Sequence, residues 1–465
     1  MLLFKLSAVY ISSSFLLATE AVASESYATA IVTTLLLTAG LIFILSTLLG
    51  ELCLRLNLPT VLGDLAAGII LGGSVLSILV FSDGGNGANI TFLSTIEWLA
   101  GASLETTQNA YRFQMWDLIG ESANIGLLAL LFVTGMESDL KELIQVGSQA
   151  ATVAVTGVVL PLFGGAIALI YLFNVPTIPA IFAGAALTAT SIGITAKVLQ
   201  EMGRLQSKEG QIILAAAILD DILGIVILAL ALSLVETGAI ELSGLITLTV
   251  KAAVFLLLAV LLNRYFCPIF SRNIERFNNP TALFLFALTF LNSLALLAIG
   301  FGLEALLGAF AAGLVLGGTR QKEKLLRLMQ PFIFVYTTIF FVTIGASVNL
   351  SVLNPLVPEN WEGLVIAACL IAIAIIGKVV AGFTTFGDQS INRLAIGAGM
   401  IPRGEVGLVF AGLGASTGAL SESLDTAIII MVVVTTLIAP LLLRWIFSSQ
   451  TEISESASTE QALSS

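Results

Sequence analysis

The sequence predicts an all-α integral membrane protein of 13 transmembrane helices, built as two five-helix inverted repeats with one broken helix in each. Three observations carry this. The chain is 57% hydrophobic and 11% charged, with a mean hydropathy of +1.04, where soluble domains are about one quarter charged. Its apolar residues gather in runs near the roughly 20 residues a helix needs to span a bilayer, with none of the short alternating segments of a barrel. A glycine-rich pattern also occurs twice, an odd number of runs apart.

In chain order, the lead up to about Ser24 holds Lys5, a modest apolar run and Ala21-Val22-Ala23. It reads equally well as a signal peptide with an A-x-A site or as an uncleaved lead-in, and residues 1–30 are assigned to it. The membrane part, 31–447, divides into spans at 31–55, 61–81, 120–137, 148–173, 178–200, 210–235, 243–266, 280–300, 301–318, 330–347, 362–385, 391–416 and 424–447. Residues 448–465, with Glu452, Glu455 and Glu460 among serines, are expected to form a short disordered tail. They carry part of the formal charge of −11, so that charge supports no argument about function.

Basic residues orient the spans. Arg55, Lys141, Lys197, Arg204, Lys208, Arg264, Arg272, Arg276, Arg320, Lys322, Lys324, Arg327, Arg393 and Arg444 fall on one side, against Arg112 and Lys251 on the other. The positive-inside rule then places the N-terminus outside and the C-terminus in the cytoplasm. Lys378 and Arg403 fit neither side, because both lie inside apolar runs.

Histidine is absent, which excludes an imidazole base, a His-ligated zinc or haem and an imidazole pH sensor. Cys53, Cys267 and Cys369 have no paired spacing and read as small core hydrophobes. No cofactor and no nucleic-acid partner are expected.

The repeat is read from Gly63-Asp64-Leu65-Ala66-Ala67-Gly68-Ile69-Ile70-Leu71-Gly72-Gly73, which returns as Gly308-Ala309-Phe310-Ala311-Ala312-Gly313-Leu314-Val315-Leu316-Gly317-Gly318. A second echo pairs Leu131-Phe132-Val133-Thr134-Gly135 with Phe340-Phe341-Val342-Thr343-Ile344-Gly345. The matching spans are an odd number apart, so the two units run in opposite directions, a pattern of secondary transporters. The fourth span of each unit is where interruption is expected. One holds Thr188, Thr190 and Ser191, whose hydroxyls could satisfy freed backbone groups or coordinate a cation; the same hydroxyls could also back-bond within a continuous helix. The other holds Pro402-Arg403-Gly404-Glu405, where proline removes a donor and glycine favours unwinding.

The centre of the chain is Asp220-Asp221, inside the run from Leu214 to Ile227. An ionisable group at mid-membrane costs roughly 2.5–3.5 kcal/mol, so two in succession point to a cation or proton site; the other reading is a buried polar pair that only ties helices together. Lys378, deep in its own apolar run, needs a carboxylate partner, and the aspartate pair is the best candidate. An intramembrane aspartyl protease would need acids on separate helices, whereas neighbours on one helix point about 100° apart. The chain is therefore not expected to be an enzyme.

Taken together, Leu58-Pro59-Thr60-Val61-Leu62-Gly63, Asp220-Asp221, Gly377-Lys378 and Pro402-Arg403-Gly404-Glu405 resemble the cation:proton antiporter 2 family, in particular its NapA-like and cyanobacterial NhaS-type branch. The resemblance covers about Leu58 to Pro440. It implies the NhaA/NapA-like fold, with a core at about 148–235 and 362–447 and a homodimerisation part at about 31–137 and 243–347. It further implies Asp221 as the carboxylate that binds Na⁺ or H⁺, Asp220 as the partner of Lys378, and Thr190 lining the site. Arg403 and Glu405 would compensate the half-helix ends at the crossing. The implied activity is exchange of Na⁺, Li⁺ or K⁺ for H⁺ by alternating access, in a plasma or thylakoid membrane of a cyanobacterium. The alternative on the same fold is a cation-coupled symporter of an organic anion, against which the lysine-plus-diacid arrangement counts.

Overall fold

The computed structural model describes residues 25–81, 87–237, 242–266, 279–348, 350, 356–357, 360–387, 391–403, 407, 410 and 420–464. The lead 1–24, Gly404, Glu405 and Cys267 lie outside the described residues. Contacts group the chain into two units, one from 25–56, 60–129 and 330–350, the other from 57–59, 130–329 and 351–464.

The first unit opens with α1 (Glu25–Arg55) and α2 (Thr60–Leu71). Next come α3 (Ile90–Ala100), α4 (Leu104–Phe113), a π-helical stretch Gln114–Gly120, and α5 (Glu121–Glu137), whose last turns belong to the second unit. The sequence predicts no membrane span within 82–119. Two short ones form there because their ends are satisfied locally. Asn89 accepts from the Thr91 and Phe92 amides at the start of α3, and Gly101 closes it with φ 62°. Ser103 caps α4. Tyr111 then holds the preceding loop, donating to the Ile78 carbonyl at 2.8 Å and accepting from the Val80 amide at 3.0 Å.

The second unit continues with α6 (Leu140–Phe173), α7 (Thr177–Ala186), α8 (Ile192–Glu201) and α9 (Lys208–Thr237). It goes on through α10 (Leu242–Leu261), α11 (Pro280–Gly300) and α12 (Ala305–Gly317). After α13 (Lys322–Ala346), which ends in the first unit, come α14 (Asn360–Gly382), α15 (Arg393–Gly399) and α16 (Glu422–Ser464). No proline or glycine interrupts 448–464, and α16 continues through residues for which the sequence suggests a disordered tail.

Among the described residues, nine helices are long and apolar enough to cross a membrane, and they fall on nine of the 13 expected spans. The other four differ in a consistent way. Where 61–81 and 301–318 were expected, α2 and α12 have only 12 and 13 residues. The span 178–200 is two helices of 10 residues each, and 391–416 is described as helix only over Arg393–Gly399 plus isolated positions.

The two sequence echoes pack crosswise. In the first unit, a side chain at Gly68 of α2 would strike the Val342 carbonyl of α13, and one at Gly345 would strike the Leu65 carbonyl. In the second unit, Gly313 of α12 faces the Phe132 carbonyl of α5 in the same way, and Gly135 the Phe310 carbonyl. Each short glycine helix therefore lies backbone to backbone on the second helix of the opposite repeat. That closeness is what small residues permit inside a membrane, where no solvent drives helices together.

A buried core assembles around α7 in the second unit. Phe182, Ala183, Ala186 and Leu187 pack with Leu370 and Ala374 of α14 and Ala427 and Met431 of α16. Phe182 and Phe410 meet edge to face with centroids 5.7 Å apart.

Candidate functional site

Two helix interruptions meet in the second unit. α7 tightens as it ends, with the Leu187 amide on the Gly184 carbonyl at 3.1 Å and the Thr188 amide on Ala185 at 3.0 Å. The chain then runs without helix until Ile192 starts α8. α15 ends in the same manner, Met400 bonding Gly397 and Ile401 bonding Ala398 at 3.1 Å each, ahead of Pro402. A helix end leaves carbonyls without partners, and in hydrocarbon each must be satisfied from within the protein.

Each break supplies the other. The Ser191 amide donates to the Pro402 carbonyl at 2.8 Å. The Thr190 hydroxyl donates to the Met400 carbonyl at 3.1 Å, and the Thr195 hydroxyl to Gly399 at 2.7 Å. In return, Arg403 Nη1 donates to the carbonyls of Thr188 at 3.1 Å and Ala189 at 2.6 Å. Its guanidinium thus covers the negative end of the α7 dipole. The Arg403 carbonyl is held in turn by the Thr436 hydroxyl of α16. Sequence reading did not single out Thr195; its signal was its place in the same run of hydroxyls, five residues after Thr190.

α9 passes beside this crossing, since Gly224 looks onto the Ala189 side chain. It carries Asp220, fully buried, and Asp221, 6% exposed. Lys378 of α14, also fully buried, places Nζ 2.8 Å from Asp220 Oδ2. Gly157 on α6 makes room for it: a Cβ there would sit 3.2 Å from Lys378 Nζ. Arg403 acts electrostatically on Asp220, and Lys378 on both aspartates. Two cations and two carboxylates therefore share one desolvated region.

Of the residues singled out from sequence, Asp220, Asp221, Lys378, Thr188, Thr190, Ser191 and Arg403 are all buried in this one unit. Glu405 is outside the described residues. The three hydroxyls have different roles. Thr188 turns back onto its own helix, donating to the Ala185 carbonyl at 2.7 Å, and Thr190 bridges the two breaks. Among the described residues, Ser191 Oγ has no hydrogen-bond partner, in common with Asp220 Oδ1 and with Nε and Nη2 of Arg403. Buried polar atoms without partners are uncommon, and these four lie around one crossing.

The profile described as sodium/hydrogen exchanger, transmembrane, matches residues 40–449. The chain is 50% identical to the high-affinity Na⁺/H⁺ antiporter NhaS3 of Synechocystis over 415 residues, 89% of each protein. It is 29% identical to the Na⁺/H⁺-K⁺ antiporter GerN of Bacillus cereus, over 88% of this chain and 96% of that one. Among solved structures, the sodium proton antiporter MjNhaP1 of Methanocaldococcus jannaschii superposes with a TM-score of 0.58 at 20% identity, covering 87% of this chain and 94% of that one. That likeness speaks to the fold.

Proposed function

The chain belongs to the sodium/hydrogen exchanger family, and from that premise we infer that it is a secondary transporter exchanging Na⁺ for H⁺ across a membrane by alternating access. The observation that carries the inference is the buried Asp220–Lys378 pair, next to Asp221, at the crossing of two broken helices. An organic-anion symporter would want a site of net positive charge, and none of the similar proteins named above is a symporter.

We propose the following division of labour. Asp221 is the carboxylate that holds either H⁺ or Na⁺. Asp220 is oriented by Lys378. Oxygen atoms of Ser191 and Thr190, main-chain carbonyls and water complete the Na⁺ shell, while Thr188 shapes the end of α7. Arg403 and Glu405 offset the half-helix ends. One carboxylate that serves either ion but not both yields exchange by competition: arrival of Na⁺ expels the proton, and protonation on the far side expels Na⁺.

The core, about 148–235 and 362–447, moves against a dimerisation part, about 31–137 and 243–347, and the working form is a homodimer. Arg55, Lys141, Lys197, Arg264, Lys322 and Arg444 face the cytoplasm, which puts the N-terminus outside. The 50% identity to a cyanobacterial relative supports a plasma or thylakoid membrane.

The test is proton flux in proteoliposomes carrying a lumenal pH dye, with Na⁺, Li⁺ or K⁺ added outside. Na⁺-driven proton movement is expected in the native chain and its loss in Asp221→Asn. Absence of movement in folded native protein with every cation would overturn the antiport reading.

A further inference from the structure

α5 ends at Glu137, an acid at the helix end where the macrodipole disfavours one, so helix formation does not account for it. Its partners do. Both carboxylate oxygens accept from the side-chain amide of Gln200 on α8, at 3.2 and 3.1 Å. The Glu137 carbonyl accepts from the Gln206 side chain, in the turn that follows α8, at 3.2 Å.

The other flank of α5 is held very differently. Gly317 of α12 lies directly against the backbone of Met136, with no room for a Cβ. The end of α5 is thus fixed to α12 by close backbone packing, and to α8 by hydrogen bonds from two long side chains. The first kind of contact resists separation, whereas the second can open and re-form as rotamers change.

This belt borders a cavity of about 730 Å³ whose lining includes Glu137, Gln206, Asn263, Arg264, Gly317 and Lys322. The charges acting on Glu137 are Lys322 and Glu323 of α13 and Lys197 of α8, and Lys197 is itself 3.5 Å from Glu201. Among the described residues, the direct side-chain partner of Glu137 is therefore a neutral amide, which holds without locking.

We propose that Glu137, Gln200 and Gln206 form a cytoplasmic latch between α5 and the second half of the broken helix, and that its release sets the rate of exchange. The proposal rests on the antiport reading above, in which α5 belongs to the dimerisation part and α8 to the moving core. The three are positioning residues and touch no transported ion.

The experiment compares Gln200→Lys, Gln200→Ala and Gln206→Ala with the native chain in proteoliposomes, at matched amounts of monodisperse protein. Gln200→Lys turns the amide contact into an ion pair and is expected to lower Vmax about threefold, an ordinary strength for a partly exposed pair. Gln200→Ala is expected to raise Vmax, and Gln206→Ala, at an exposed position, to raise it less. The apparent KM for Na⁺ should stay within about twofold of native in all three, since a partly exposed contact is worth little and none of these residues binds the cation. A merely structural role would lower Vmax in every variant, and that result, or native Vmax throughout, overturns the latch. If the native chain itself moves no protons, the antiport reading has failed and the latch falls with it.

Discussion

At the residue scale the strongest constraint is Lys378. A lysine and an aspartate with no solvent exposure, 2.8 Å apart, form a pair whose removal is asymmetric. Deleting one partner strands the other charge in a desolvated site, at a cost of about 3–5 kcal/mol, while replacing both by neutral groups of similar size can be close to neutral. Lys378→Ala should therefore lower the thermal unfolding midpoint of the detergent-solubilised protein, and Asp220→Asn with Lys378→Met should recover most of the loss. A double variant no more stable than Lys378→Ala would show that the pair contributes nothing beyond packing. Gly157 provides a second probe. A valine there would crowd Lys378 Nζ from α6, so the stability loss should resemble that of Lys378→Ala with the charges left in place.

At the element scale the crossed breaks and the glycine helices are stabilised in different ways. The breaks are held by polar groups exchanged between the two interrupted segments, and the glycine helices by the absence of side chains. Gly313→Leu would drive a side chain into the Phe132 carbonyl, and Gly68→Leu into that of Val342. Both should cost more than the usual ~1–3 kcal/mol of overpacking, because the obstacle is backbone rather than a movable side chain. Gly40→Leu on α1, with none of the described residues within 4 Å of a Cβ there, is the matched control. Size-exclusion profiles in mild detergent would separate these outcomes, and a monodisperse Gly313→Leu would refute the packing argument. At the crossing itself, Thr195→Val removes the donor to the Gly399 carbonyl and should cost about 1–3 kcal/mol by leaving that carbonyl unsatisfied. Thermal unfolding of this variant checks it, with native stability as the refuting result.

At the scale of the whole molecule, the proposed competition of H⁺ and Na⁺ for Asp221 makes a quantitative demand. Where Asp221 is mostly protonated, each unit of falling pH should raise the apparent KM for Na⁺ about tenfold, by proton linkage, while Vmax at saturating Na⁺ changes far less. Flux measured over a grid of pH and Na⁺ would test this. A pH-independent KM would mean that proton and cation bind at separate places.

Much of this architecture could be read in the residues because a bilayer leaves few choices. Long apolar runs must be helices, since unsatisfied backbone is not tolerated in hydrocarbon, and nine of the thirteen were placed on that ground alone. Acids and bases within such runs must find partners, so Asp220, Asp221, Lys378 and Arg403 stood out before any geometry was known. The doubled glycine pattern was legible as well, because a repeat is a property of order along the chain. What the order could not carry was mutual arrangement. The tertiary structure decided that each glycine helix packs on the opposite repeat, that Arg403 serves the Thr188 and Ala189 carbonyls, and that Thr195 joins Thr190 in holding the second break. It also decided where short capped helices form between Ile90 and Phe113, and that Glu137 reaches Gln200. The capped helices turn on local side-chain bonds at Asn89 and Ser103, which hydropathy does not register; for the rest, hydropathy and charge set what each segment must avoid, but contacts between residues more than 60 positions apart depend on shape and direction, which no single segment encodes.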